Sequence, residues 1–399
     1  MINKLELDHT KNRVKDLLLN GILAFFLCIY FVKVIEIQNI YNMQGWLTGD
    51  WLINYSNGFI RRGLLGELAD YLHRNLAISH VSTIFFIKLF LYAIYCVAFL
   101  WLCIRKKIGL FEIMLILSAW AFVFDLNYPT ASGRKELILF AVFTLYALIK
   151  TFSHKQESAS VFFKQWDFWY LLILLPLILL IHEGLFFFYQ YFLLFALMGK
   201  EDIRNAVIKF LIPYSISLAI LILMSVGYLG DSNDANVICQ TLLNANLNES
   251  ICNGAIMALG GFEYEIHTAY FIAYSIIFTL TFSALMLYAY KAFDRGEFNR
   301  CAVVILVFML PTIPLYVFAS DWGRWIHITA MLTFICILSN KSHEKISFHE
   351  GKRIYGLLAV VISVIYVTTW KIPHWLPNRR ELVIDSNNIV DYLLLLNPF

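Results

Sequence analysis

Apolar runs about as long as a lipid bilayer is thick recur along the whole of this 399-residue chain, each closed by a small charged cluster. A hydrocarbon core of about 30 Å is crossed by a helix of about 20 apolar residues. Water tolerates such runs only beneath a polar coat, and here 60% of the residues are hydrophobic against 15% charged. Backbone groups in lipid must bond within their own segment, and runs this continuous suit helices rather than barrel strands. The chain is expected to be an all-α polytopic integral membrane protein of about eleven transmembrane helices: 17–37, 81–104, 108–124, 135–151, 168–181, 184–198, 207–229, 269–290, 301–319, 325–339 and 354–370.

The net charge of +3 matters less than its distribution. No basic block is large enough for nucleic acid, and the cations punctuate alternate loops. Arg105-Lys106-Lys107; Lys150 with Lys155 and Lys164; Lys200 with Arg204 and Lys209; Lys291 with Arg295 and Arg300; and Lys341 with Lys345, Lys352 and Arg353 all share the side of the N-terminus. The positive-inside rule makes that side cytoplasmic and puts the C-terminus outside. The agreement requires 168–198 to be two short helices meeting at His182-Glu183. Lys4, Lys11, Arg13 and Lys15 precede the first run with no A-x-A cleavage site, which reads as an uncleaved anchor.

Three outer segments are long, 38–80, 230–268 and 371–399, within a single membrane domain over 1–399. Leu64, Leu65, Leu68, Leu72 and Leu76 have helical spacing, so 64–76 is expected to be an amphipathic interfacial helix. Five of the seven cysteines (Cys28, Cys96, Cys103, Cys301, Cys336) lie in or at the ends of spans. Cys239 and Cys252 lie in an outer loop, where an oxidising exterior permits a disulfide; two unpaired thiols are the alternative.

Asn54 to Gly63 holds the adjacent Arg61 and Arg62 between Gly58 and Gly63, beside Tyr55 and Phe59. Arginine forks suit phosphate or carboxylate, and glycine lets a backbone turn sharply or approach a ligand. The segment reads as a pyrophosphate or acidic-sugar clamp, or as a lipid-headgroup contact. Asp50, flanked by Trp46 and Trp51, reads as a general base with a raised pKa, a helix cap, or a partner of Arg61 or Arg62. Gly133-Arg134-Lys135-Glu136 opens a span from the outer side, against both the positive-inside rule and the helix dipole. Arg134 therefore needs an anionic partner, either a ligand phosphate or Glu136 and Asp125, while Lys135 and Glu136 read more simply as an ion pair.

His182-Glu183 interrupts an otherwise apolar stretch, where ionisable groups are expensive unless paired or wet. His182 could relay a proton and Glu183 could position or deprotonate a hydroxyl; a solvated turn is the alternative. Asp321-Trp322-Gly323-Arg324 forms a tight outer turn. Asp321 and Arg324 either pair or bind hydroxyl and phosphate, and Trp322 either joins an aromatic belt or stacks on a sugar. His73, His80, His267 and His327 read as ordinary interfacial residues. P-loop, dinucleotide, H-E-x-x-H, zinc-spaced Cys/His and Asp-x-Asp patterns are absent, so neither cofactor nor metal is expected.

These residues fall on one side, and an arginine-rich, aromatic-lined pocket at the lipid boundary suits a lipid-linked pyrophosphate sugar. Gly133-Arg134-Lys135-Glu136 opening an apolar helix, a basic connection at 150–164, and an apolar helix ending in His182 resemble the oligosaccharide repeat-unit polymerases of bacterial surface polysaccharides, the Wzy and EpsG-like families. That resemblance covers about 70 residues. It implies joining of undecaprenyl-pyrophosphate-linked glycans (O-antigen or capsule) on the outer face of the bacterial inner membrane, with Arg134 on pyrophosphate and His182 on the reacting sugars. A partner protein regulating chain length belongs to the same implication, beside the membrane lipids and the lipid-linked substrate. The segment 54–66 has no counterpart there, and the acid Asp50 in a first outer loop looks instead like the GT-C glycosyltransferases, implying a single-sugar transferase with a lipid-phosphate donor. A flippase or solute carrier is the rival class, although no inverted repeat is visible.

Overall fold

The computed structural model describes residues 2–152, 165–199, 201–261, 268–341 and 353–374. Most of the expected outer tail 371–399 lies outside these residues, as do Lys155, Lys164, Lys200, His267, Lys345 and Lys352. The described chain is all-helical, with no strand. Its helices are α1 (Ile2–Ile40), α2 (Leu64–Leu76), α3 (His80–Arg105), α4 (Leu110–Ile116), α5 (Val123–Asn127), α6 (Glu136–Phe152), α7 (Trp166–Ile181) and α8 (Gln190–Met198). The second half adds α9 (Ile203–Gly227), α10 (Ser232–Asn244), α11 (Thr268–Ala292), α12 (Arg295–Met309), α13 (Ile313–Phe318), α14 (Trp322–Asn340) and α15 (Arg353–Thr368).

Among the described residues, six stretches are long and apolar enough to cross a bilayer: Arg13–Ile40, His80–Arg105, Ile203–Gly227, Tyr270–Ala292, Arg295–Val317 and Trp322–Asn340. Two shorter apolar helices cover Trp166–Ile181 and Glu183–Met198. The bundle turns large apolar side chains such as Phe25, Phe90, Leu223 and Val303 outward, as lipid requires. Its axis is α14, whose residues from Trp322 to Ser339 are all buried, packed by α6, α8, α11 and α13. Leu68 and Leu76 of α2 stay exposed, while its Gly66 presses on the Ile53 carbonyl, where a Cβ would come within 2.0 Å.

Two expected spans are not single helices. In place of 108–124 the chain forms α4, a run of turns and α5. Ser118 turns its hydroxyl back to the Leu115 carbonyl at 2.6 Å, a bond that competes with the helical ladder. The carbonyl of Trp120, freed by those turns, lies 2.7 Å from Nδ1 of His327. His327 is accordingly buried and stacked on Phe124, with centroids 4.5 Å apart, rather than interfacial; His80 is likewise buried, against Asp70. In 301–319, Pro311 and Pro314 accompany a 3-10 turn, Leu310–Thr312, between α12 and α13, because proline supplies no backbone N–H. The stretch 168–198 does divide: α7 ends at Ile181, His182 is extended, and a 3-10 turn over Glu183–Phe188 leads into α8.

The two ends of the bundle differ. At one, Lys341 pairs with Glu112 (2.6 Å), Lys291 lies 4.1 Å over the Phe111 ring, and Arg300 donates to the Leu197 carbonyl. There Lys150 and Lys209 also share Asp167 at 2.6 and 2.9 Å, tying α6, α7 and α9. At the other end, segment 41–63 meets the 228–261 segment, where Cys239 and Cys252 form a disulfide. Gly45 and Gly49 sit so tightly on the Asn253 and Ile251 carbonyls that a side chain on either would collide with them. Asn57 donates to Asp234 at 2.8 Å and Ser250 to the Met43 carbonyl at 3.0 Å.

Candidate functional site

The loop over 41–63 is bent by local bonds. The Asn54 side chain accepts from the Ser56 amide (3.0 Å) and hydroxyl (2.6 Å), a turn typical of Asx residues. Gly58 has φ +107. Gly63 lies against Tyr55, where a Cβ would be 2.2 Å from Cε1, so it serves packing rather than ligand approach. Arg62 itself has φ +68, a left-handed conformation that costs a non-glycine residue about 1–2 kcal/mol. Its carbonyl is held by the Lys135 ammonium at 3.1 Å.

This conformation lets Arg62 seize Glu183. Its Nε donates to Oε1 and Oε2 at 2.9 and 2.8 Å, its Nη2 to Oε1 at 2.6 Å, and Arg61 Nη1 adds a bond at 3.1 Å. Arg62 and Lys135 also flank Asp50 Oδ1 at 3.7 and 3.6 Å, too far for a hydrogen bond. At the start of α6, Glu136 is gripped by Arg324 of α14, Nε to Oε1 at 2.8 Å and Nη2 to Oε2 at 3.0 Å. Arg324 also bonds Asp321, three residues before it, and Asp321 faces His374 at 3.3 Å. The expected Lys135–Glu136 pair is therefore replaced by Lys135–Asp50 and Arg324–Glu136. Asp125 takes no part, accepting instead from the Tyr30 hydroxyl at 2.5 Å.

Arg134 is the exception in this network. Its side chain is 8% exposed; among the described residues its one ion pair is Nη1 to Asp321 at 3.5 Å and Nε has no hydrogen-bond partner. The Trp46 ring lies 5.4 Å from its guanidinium carbon. Five cations (Arg61, Arg62, Arg134, Lys135, Arg324) are interleaved with four carboxylates (Asp50, Glu136, Glu183, Asp321). Lys88 of α3 lies beside them, donating to Gln38 Oε1 (2.9 Å) and the Leu47 carbonyl (2.8 Å), 5.5 Å from the Trp51 ring. Burying unbalanced charge costs several kcal/mol, so the arrangement favours an added anion. Arg61, Arg62, Glu183 and Asp321 keep between 17% and 25% of their side chains exposed and form the open rim.

The electrostatics reverse one expectation. Burial would raise the Asp50 carboxyl, as its flanking indoles suggest, but Lys135 and then Arg62 outweigh it and hold it below the usual range. Asp321 is likewise kept low, Arg324 overcoming its burial. Burial, partly offset by Asp50, brings Lys135 down to about 8. Burial and then Arg62 push His182 down to about 3. The neutral His182 ring accepts the Gly184 amide at Nδ1 (3.0 Å), which leaves its proton on Nε2.

The structure thus brings Asp50, Arg61, Arg62, Arg134, Lys135, His182, Glu183, Asp321 and Arg324 together. Trp322 is not available for stacking: its Nε1 donates to the Ala319 carbonyl (3.0 Å) and its ring is enclosed by Tyr270, Phe271 and Tyr316. Tyr55 stands behind the arginine loop and lines a separate cavity. His374 joins the site without a motif that singles it out, while Glu136 and Trp46 enter it through Arg324 and Arg134 rather than through their sequence neighbours. Lys88 did carry a signal, as a charge inside an apolar run.

No curated protein and no solved structure matches the chain. A family model matches residues 21–258, which include the arginine loop, Arg134-Lys135-Glu136 and His182-Glu183 but stop short of Asp321 and Arg324. The chain belongs to the family described as uncharacterised membrane protein Rv1490, and with its several apolar spans it is a multi-pass membrane protein.

Proposed function

We propose that the chain is a metal-independent glycosyltransferase that joins glycan units carried on a lipid pyrophosphate, at the outer face of a bacterial inner membrane, in the building of a surface polysaccharide. The observation that carries this reading is Arg134: a buried guanidinium with one long ion pair and an unpartnered Nε, set among cations that outnumber the surrounding carboxylates. Phosphate oxygens are the natural partners of such a fork. The partly exposed rim at the end of an apolar bundle suits a phosphate whose lipid tail stays in the membrane.

In the proposed reaction the acceptor's hydroxyl oxygen bonds to the anomeric carbon of the donor sugar. The anomeric C–O bond to phosphate breaks, its electron pair leaves with the lipid pyrophosphate, and the hydroxyl proton passes to a carboxylate. Arg134, Arg61 and Arg62 stabilise the charge that grows on the leaving group. Asp50 is the carboxylate assigned to the proton, because its Oδ1 accepts no hydrogen bond. Its depressed affinity for protons makes this an acceptance completed as the leaving group departs, rather than a prior deprotonation. The sidedness is supported by the Lys150, Lys209, Lys291, Arg300 and Lys341 contacts at the opposite end of the bundle, the end the positive-inside rule makes cytoplasmic.

The test is the length distribution of the host's surface glycan when a deletion strain carries Arg61→Ala, Arg62→Ala, Arg134→Ala or Asp50→Asn. Loss of chain extension with protein at wild-type level is expected from each; wild-type lengths from all four would end the proposal.

A further inference from the structure

Behind the arginine loop, α2 and α10 flank an open cavity of about 540 Å³ that the ion-pair network does not use. We propose that this cavity holds the acceptor saccharide, an inference that rests on the glycosyl-transfer reading. Its volume falls in the range of roughly 300–1,000 Å³ typical of small-molecule sites. Such sites are mostly apolar, whereas this one is lined by Tyr55, Ser56, Glu67, Asp70, Thr241 and Asn244, with His73 and Arg74 beside them. Hydroxyl, amide, carboxylate and guanidinium groups beside aromatic rings fit a polyhydroxylated ligand rather than a lipid tail.

The lining is built rather than incidental. Glu67 Oε2 accepts the Tyr55 amide at 3.2 Å and its Oε1 accepts from Arg74 at 3.0 Å. Arg74 also bonds Asp70 at 2.8 Å, and Asp70 faces the buried His80 at 3.3 Å. The carboxylates are thereby held in place, with lone pairs left over for sugar hydroxyls. Thr241 spends its proton on the Val237 carbonyl at 2.9 Å, so its oxygen faces the cavity as an acceptor. Asn244, exposed on α10, offers both donor and acceptor.

The position suits an acceptor. Tyr55 forms a cavity wall with one side of the loop and packs on Gly63, which directly follows Arg62. The loop that places Arg61 and Arg62 on the ion network thus also borders the cavity. The other wall, α10, is fastened by the Cys239–Cys252 disulfide and by Asn57 to Asp234. A saccharide seated there would touch the same loop whose arginines face the donor phosphate.

The full chain in lipid nanodiscs is titrated with the oligosaccharide released by mild acid hydrolysis from the host's own surface glycan, read by saturation-transfer NMR. Wild-type protein is expected to transfer saturation to the sugar protons. Thr241→Trp, which fills the cavity, should abolish the transfer, and Asn244→Ala, on an exposed helix face, should weaken binding at least threefold. Arg134→Ala should leave sugar binding unchanged while losing polyprenyl phosphate, measured on the same preparations. No transfer in the wild type, or wild-type binding by both cavity variants, overturns the acceptor assignment. Wild-type polyprenyl-phosphate binding by Arg134→Ala would instead overturn the donor reading alone.

Discussion

Arg324 and Glu136 stand 188 residues apart and meet as a two-bond fork, Nε to Oε1 at 2.8 Å and Nη2 to Oε2 at 3.0 Å, both side chains buried. The pair locks the start of α6 to the first turn of the enclosed helix α14. It also fixes the peptide that carries Arg134 and Lys135.

Breaking this fork from one side should be severe. Glu136→Ala leaves Arg324 buried with Asp321 alone, and such losses cost about 3–5 kcal/mol. Thermal unfolding in detergent should show a large drop for Glu136→Ala and for Arg324→Ala. The double variant Glu136→Leu/Arg324→Met should recover much of it, because a shape-matched apolar pair strands no charge. A double variant as unstable as both singles added together would refute the coupling.

The disulfide should matter for the 228–261 segment. It closes a loop of 13 residues, for which chain-entropy arguments give about 3 kcal/mol. Cys239→Ser/Cys252→Ser should lower the melting temperature, and reductant should lower that of the wild type to the same value. Equal melting temperatures with and without reductant would contradict this.

Anion binding should depend on pH through Lys135. With burial holding it near 8, the ammonium is charged below that pH and neutral above it. The wild type and Lys135→Arg should share one profile from pH 6 to 7, where the phosphate monoester itself ionises, and diverge as pH rises through about 8, where the wild type alone loses affinity. Because burial and Arg62 hold His182 near 3, no histidine-dependent break is expected between pH 6 and 7. A break between pH 6 and 7 that disappears in His182→Gln would reverse that assignment.

The opposite end of the bundle supplies the control. Asp167 binds Lys150 and Lys209, and Asp167→Ala should lower thermal stability while leaving polyprenyl-phosphate affinity unchanged in the folded fraction. A variant that loses affinity without losing stability would mean the two ends are coupled.

Hydropathy made the helices legible, and the break at His182-Glu183 could be read because five basic loops demanded it. What hydropathy cannot see is a run whose apolar residues do not keep helical bonds: 108–124 opens where Ser118 bonds back and Trp120 turns its carbonyl to His327. Arg61, Arg62, Arg134, Glu183 and Asp321 stood out because charge at an outer helix end or inside an apolar run is costly. Of their pairings, Arg62 with Asp50 and Arg324 with Asp321 were legible; the rest were not, since sequence neighbours are a poor guide to partners 85 to 188 residues away. Lys135 beside Glu136 chooses Asp50, and Glu136 chooses Arg324. His374 had no local signal at all; only the return of the chain after α15 brings it to Asp321. Trp322 was misread because sequence shows an indole at a membrane boundary but not the Tyr270 and Tyr316 rings that enclose it.

The central claim is that the buried, under-partnered guanidinium of Arg134 binds a lipid-borne phosphate. Equilibrium binding of a polyprenyl phosphate to the full chain in nanodiscs, wild type against Arg134→Ala, measures it directly. The account expects affinity to fall about 30-fold or more, equivalent to about 2 kcal/mol, with the melting temperature unchanged or raised as an uncompensated charge is removed. Equal affinity in the two proteins would contradict it.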